Sequence, residues 1–108
     1  MIQNISIEEA KNLIETNKDN AGFAILDVRT KDEFDAGHIE NAVNLDVMAP
    51  DFTDKLNTLD KNKTYLVHCQ RGARSARAVE IMKPLGFENI YHMEQGFGDW
   101  ESKGYPVK

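Results

Sequence analysis

The chain holds one cysteine, at the head of the segment Cys69-Gln70-Arg71-Gly72-Ala73-Arg74-Ser75-Ala76-Arg77. That segment carries three of the four arginines and no acid, inside a protein of formal net charge −5. A thiolate, not a thiol, is the nucleophile, and a free cysteine titrates near ~8.5. Nearby cations and a helix N-terminus both favour the ionised form. The segment offers both if a helix begins near Ala73. Gly72 permits dihedrals that turn successive backbone N–H groups inward, which makes a cradle for an anion carried on sulfur. A lone cysteine is more often just a small buried hydrophobe, and a glycine in a loop often serves only a tight turn. Here the arginines, the glycine and the helix that follows favour covalent catalysis by Cys69.

The elements that must position this thiol follow from hydrophobic periodicity and caps. Ser6 with Glu9, and Thr30 with Glu33, have the capping-box spacing, which predicts helices over Ile7–Thr16 and Lys31–Ala36. The first carries Ile7, Ala10, Leu13 and Ile14 on one face. Gly37 is placed to end the second in a left-handed turn. Phe23–Val28 and Thr64–His68 read as buried strands, Ala42–Leu45 and Glu88–Met93 as further strands. Between Pro50 and Leu59 the pattern predicts a loop and a short helix. Ala73–Leu85 reads as a helix with Ala76, Val79 and Met82 inward, Pro84 at its last turn and Gly86 as its stop. Phe97–Ser102 is a final short helix. Strands alternating with helices imply an α/β domain with a mainly parallel sheet. Ligands of such sheets bind where strands end at their carboxyl edge. Asp27-Val28-Arg29 and His68-Cys69-Gln70-Arg71 both fall there.

Composition narrows the field. A chain of 108 residues, 41% apolar and 29% charged, fits one globular domain over residues 1–108. Its 13 basic and 18 acidic residues do not suit a phosphate-backbone binder, so no nucleic-acid partner is expected. One cysteine excludes an internal disulfide framework, and with three dispersed histidines it offers no metal site. The longest apolar run, Ala21–Leu26, is far short of a membrane span. The segment MIQNISIEEA lacks the basic and apolar blocks of a signal peptide, so a cytoplasmic location is expected.

Three ordered motifs resemble those of a single-domain rhodanese, a thiosulfate-type sulfurtransferase. The loop Cys69-Gln70-Arg71-Gly72-Ala73-Arg74-Ser75 is similar to the family's Cys-x-x-Gly-x-Arg-Ser. Upstream, Asp27-Val28-Arg29, Glu33-Phe34, Gly37-His38-Ile39 and Ala42-Val43-Asn44 are similar to a second motif; Gln95-Gly96-Phe97, Trp100 and Gly104-Tyr105-Pro106-Val107 to a third. The match runs over about residues 5–107. Gln95 departs from it, standing where the family usually has the first of two glycines. If that position needs positive φ, strain of order ~1 kcal/mol follows.

The resemblance implies a rhodanese-like fold, with about five strands in a mainly parallel sheet and helices on both faces. It implies that Cys69 takes a sulfane sulfur from thiosulfate or a persulfide and passes it to a thiophilic acceptor, cyanide in an assay or a cellular thiol. Gln70, Arg71, Gly72, Ala73 and Arg74 are then the active loop, with Arg71 receiving the sulfonate end of the donor and Arg74 bracing the loop. Asp27, Arg29 and Ser75 are supporting residues, with Asp27 and Arg29 beneath the loop. His38 is expected to bond locally, His68 to point away from Cys69, and Phe97 and Trp100 to be core. No cofactor is expected. The expected partners are a small sulfur donor and a thiol acceptor, a thiol protein such as a thioredoxin among them, and the expected state is a monomer or weak homodimer.

Two other readings use the same residues. Cysteine phosphatases carry His-Cys-x5-Arg-Ser/Thr, and this chain has His68-Cys69 and Arg74-Ser75. Only four residues separate Cys69 from Arg74, a ring suited to one sulfur and too small for a tetrahedral phosphate, which favours sulfur transfer over a small cysteine phosphatase or arsenate reductase, and no useful phosphatase activity is expected. A non-catalytic binding module, or a redox sensor working through sulfenic acid, is the other alternative.

Overall fold

Local signals set the first helices in the computed structural model, which describes residues 1–108. Strand β1 (Ile2–Ile5) leads into helix α1 (Ile7–Thr16), and the Ser6–Glu9 capping box is complete. Strand β2 (Phe23–Asp27) precedes helix α2 (Lys31–Ala36), where Thr30 and Glu33 cap each other in the same way. Each box satisfies two N–H groups that the first helical turn leaves without partners. After α2 come β3 (Val43–Asn44), α3 (Phe52–Leu56), β4 (Thr64–His68) and α4 (Ala73–Met82). A short 3-10 turn over Lys83–Leu85 holds Pro84, and Gly86 closes it in a left-handed conformation. Strand β5 (Asn89–Met93) and helix α5 (Gly96–Ser102) complete the fold.

The five strands form one parallel sheet in the order β1-β5-β4-β2-β3. Strand β4 is central, with Leu26 of β2 opposite Val67 on one side and His92 of β5 opposite it on the other. Alternation sends successive side chains to opposite faces. On one face Leu26, Val28, Val67 and Cys69 pack with Leu56 of α3 and with Ala78, Val79 and Met82 of α4. On the other, Ile25, Leu66 and Met93 pack with Ile7 and Ala10 of α1 and with Phe97 and Trp100 of α5. The α/β class, the parallel sheet and the helices on both faces are as expected. No helix is long and apolar enough to cross a membrane.

Several local readings need correction. The strand at Ile2–Ile5 was not expected: of its four residues only Ile5 is buried, so it shows no apolar pattern and owes its existence to pairing with β5. Gly37 does not end α2 in a left-handed turn; its φ of 165° is extended backbone. Ala76 is exposed, and the inward stripe of α4 is Ser75, Ala78, Val79 and Met82. Strand β2 stops at Asp27, β3 spans only Val43–Asn44, and β5 begins at Asn89. Gln95 sits at φ −72° and carries no strain, because the positive φ falls on Gly96.

Candidate active site

Strand β4 delivers Cys69 to the carboxyl edge of the sheet, and alternation decides which way it faces. Val67 and Cys69 lie on the α4 side, while His68 points to the opposite face beside Asp27 and Phe97. The thiol is therefore at the floor of the loop that climbs to α4, and Cys69 is only 1% exposed. Burial alone would make it inert. The loop prevents that. Gly72 N–H donates to Sγ at 3.0 Å, and Sγ lies 3.3 Å from the Ser75 hydroxyl. Burial pushes the thiol pKa up, but the Ser75 hydroxyl and the N–H groups of Ser75, Gly72 and Arg71 outweigh it, so the pKa lies below its ordinary value.

Gly72 makes the cradle possible. Its φ is +112°, and a Cβ there would lie 2.1 Å from the Glu94 carbonyl oxygen. The approach of β5 and α5 to the loop is equally close from below. Phe97 N–H donates to the Cys69 carbonyl at 2.8 Å and Gly98 N–H to the Gln70 carbonyl at 3.1 Å. Gly96, at φ +82°, would set a Cβ 2.4 Å from Gln70 O. These α5 contacts hold the loop backbone in place. In the sequence Gln95-Gly96-Phe97 is only a motif, and nothing in its spacing says what it touches.

The arginines divide by partner. Arg74 forms a two-pronged pair with Glu33, at 2.6 and 2.9 Å, so its charge is engaged and its side chain braces the loop against α2. Arg71 is exposed on the rim of a depression that it lines with Gln70, Glu94 and Asp99. Arg77 is exposed as well. The local positive charge read from the sequence is thus partly cancelled, and amides and a hydroxyl, not guanidinium groups, draw the thiol pKa down. Ala73 opens α4 with an exposed side chain, so its contribution is to the helix start.

Beneath the loop, Asp27 and Arg29 are both buried and paired. Asp27 accepts the Arg29 backbone N–H at 3.1 Å and two guanidinium nitrogens at 3.0 and 2.8 Å. Arg29 also donates to the Gly37 carbonyl at 2.8 Å and to Gln70 Oε1 at 3.1 Å, and its guanidinium lies 4.2 Å from the Phe97 ring centroid. The pair thus ties β2 to α5 and to the second residue of the loop. His68 Nδ1 contacts the Cys69 carbonyl at 3.1 Å, and burial holds the ring well below its ordinary pKa despite Asp27. His38 bonds locally to the Phe34 carbonyl at 2.8 Å and stacks on the Phe34 ring. Phe97 and Trp100 are core. No three His, Cys, Asp or Glu side chains are grouped closely enough to hold a metal ion.

A parallel α/β sheet with a cysteine cradled between a strand end and a helix start defines a class of thiol-bearing domains. Within it, the family described as "Rhodanese-like domain" matches residues 6–103, and the chain belongs to that family. It is 32% identical over 98 residues to "Thiosulfate sulfurtransferase 16, chloroplastic" of Arabidopsis thaliana, covering 82% of each chain. It is 34% identical over 100 residues to a "tRNA uridine(34) hydroxylase" of Cytophaga hutchinsonii, covering 82% of this chain and 32% of that protein. The crystal structure of a rhodanese-related protein from Thermoplasma volcanium superposes with a TM-score of 0.81 at 33% identity, covering 98% of this chain and 97% of that one.

Proposed function

We infer that this protein is a sulfurtransferase that carries a sulfane sulfur on Cys69. The observation that supports the reading best is the ring of donors on Sγ, with Gly72 N–H at 3.0 Å and the Ser75 hydroxyl at 3.3 Å. The Cys69 thiolate attacks the outer sulfur of thiosulfate or of a persulfide. A new S–S bond forms, the donor's S–S bond breaks, and sulfite or a thiolate leaves with the electron pair. The product is a Cys69 persulfide whose negative terminal sulfur meets the same preorganised donors. An acceptor, cyanide or a thiolate, then attacks that terminal sulfur and returns Cys69 as the thiolate. Splitting one transfer in two is covalent catalysis.

The near-complete burial of Cys69 favours a donor that presents a single sulfur atom over a tetrahedral phosphate. Arg71 at the rim receives the anionic remainder of the donor. The test is intact mass after incubation with thiosulfate and, separately, with a persulfide donor. The wild type should gain one sulfur atom and yield thiocyanate with cyanide, and Cys69→Ala should do neither. An unchanged mass with every donor overturns the reading, as does aryl phosphate hydrolysis that depends on Cys69.

A further inference from the structure

From the sulfur a line of polar groups runs across one face of the sheet to its β1 edge. Ser75 Oγ is 3.3 Å from Cys69 Sγ, 2.6 Å from His92 Nε2 and 3.1 Å from the Gly72 carbonyl. On the other side of the imidazole, His92 Nδ1 lies 3.1 Å from Asn4 Oδ1. Asn4 is in β1, His92 in β5 and Ser75 in α4. His92 is buried, while Asn4 is exposed.

A serine hydroxyl has one proton and cannot donate to both Gly72 O and His92 Nε2. With His92 Nδ1–H donating to Asn4 Oδ1, Nε2 is an acceptor. The line then reads Cys69 S–H to Ser75 Oγ, and Ser75 O–H to His92 Nε2. With Nε2 protonated the polarity reverses: His92 Nε2–H donates to Ser75 Oγ, and Ser75 O–H donates to the Cys69 thiolate. Both polarities pair Cys69, Ser75 and His92 with one another, each giving up the Ser75 O–H bond to the Gly72 carbonyl, so the line switches as a unit.

We propose that Ser75, His92 and Asn4 form a proton relay that empties the buried Cys69 sulfur of its proton, with His92 as the positioning residue that receives it through Ser75. The proposal rests on the reading of Cys69 as the nucleophile. The thiol proton passes to Ser75 Oγ as the Ser75 proton passes to His92 Nε2. The products are thiolate and imidazolium, and no electrons change hands. Loss of the Nδ1 proton to solvent at the Asn4 edge leaves the neutral Nε2–H tautomer, with the Asn4 amide turned to present its N–H2. A thiol that is 1% exposed has little contact with bulk water, which gives such a path its purpose.

The groups acting on His92 are few. Glu94, just past the end of β5, favours the imidazolium; burial outweighs it and holds the ring below its ordinary pKa, so Nε2 is free to accept while the imidazolium is short-lived and passes its Nδ1 proton on. His68 of β4 points to the opposite face of the sheet, and burial disfavours its charged form. From α4 the ring meets Ser75 and, through it, Cys69; from β1 it meets the neutral Asn4 amide.

The test is the rate of Cys69 alkylation by iodoacetamide from pH 5 to 10, together with sulfur loading from thiosulfate by intact mass. His92→Gln retains a donor to Ser75 but cannot take a proton. It is expected to alkylate about tenfold more slowly than wild type near neutral pH and to converge with it at alkaline pH, as an upward displacement of thiol ionisation requires. Asn4→Asp, at an exposed edge, sets a carboxylate on Nδ1 and is expected to raise the His92 titration seen by NMR and speed alkylation at acid pH. The His92 titration should also move when Cys69 is replaced by serine. A His92→Gln profile that matches wild type, or lies below it by one factor at every pH, overturns the relay, as does a His92 titration indifferent to Cys69. Wild-type loading without this pH signature removes the relay and leaves the sulfurtransferase reading standing. Failure of every donor to load the wild type removes that reading, while the alkylation profile still decides the relay.

Discussion

Arg74 grips Glu33 with both terminal guanidinium nitrogens, at 2.6 and 2.9 Å, and the same carboxylate closes the cap of α2 by accepting the Thr30 N–H at 3.1 Å. One acid thus serves both the start of α2 and the bracing of a loop whose arginine lies 41 residues away. The pair is about one-quarter to one-third exposed, so solvent weakens it. Replacing Glu33 by alanine removes cap and brace together and should lower unfolding free energy by about 1–2 kcal/mol. Chemical denaturation measures this. Arg74→Lys, which loses the two-pronged geometry, should also slow sulfur loading.

The same contact makes stability depend on acidity. Arg74, ahead of the opposing burial and the help of Thr30, brings the Glu33 pKa from 4.5 down to about 2. A carboxylate with a depressed folded-state pKa stabilises fully above its unfolded value and loses that contribution as pH falls through the folded one. The thermal midpoint should therefore fall between about pH 4.5 and 2. It should fall less steeply in Arg74→Met. Equal slopes would refute the assignment.

Two glycines with positive φ separate backbone strain from collision. Gly72 at +112° would drive a Cβ to 2.1 Å from Glu94 O, while Gly86 at +98° meets nothing nearer than Lys61 at 3.8 Å. Gly86→Ala should cost about 1 kcal/mol and leave sulfur loading intact. Gly72→Ala should cost about 3 kcal/mol or more, displace the loop from β5, and abolish loading. Mass spectrometry and denaturation on the two variants check both expectations.

Asp27 and Arg29 form a pair hidden from solvent, so removing one partner strands the other's charge. Arg29→Met should destabilise by about 3–5 kcal/mol. The double variant Asp27→Asn with Arg29→Met should cost less than the sum of the two single changes. Strict additivity in the double-mutant cycle would show that the pair is not coupled.

Arg71 is the rim residue expected to meet the donor's anionic end. Arg71→Ala should raise KM for thiosulfate more than it slows transfer from a neutral persulfide. A proportional loss with both donors would mean that Arg71 tunes the thiol and does not bind the anion.

The parts of this molecule legible in the sequence were those set by contacts a few residues apart. The boxes Ser6–Glu9 and Thr30–Glu33 placed α1 and α2 to the residue, and the apolar run Thr64–His68 placed the central strand. Cys69, Gly72 and the start of α4 followed from one short segment. The β1 strand did not, because its partner Asn89–Met93 lies at the other end of the chain and supplies its hydrogen bonds. Nor did the tie from the Asp27–Arg29 pair to Gln70, which joins residues 41 positions apart.

Sequence alone determined the fold class, the thiol and the loop that carries it, since helix caps, strand periodicity and glycine dihedrals are local properties. Only the tertiary structure decided the charge and proton environment of that thiol. It set Arg74 against Glu33, left Arg71 on the rim, and aligned Ser75, His92 and Asn4 from three elements with the sulfur. The physical reason is distance along the chain. A hydrogen bond acts over about 3 Å in space, and nothing in residue order says which of two strands 88 positions apart will meet.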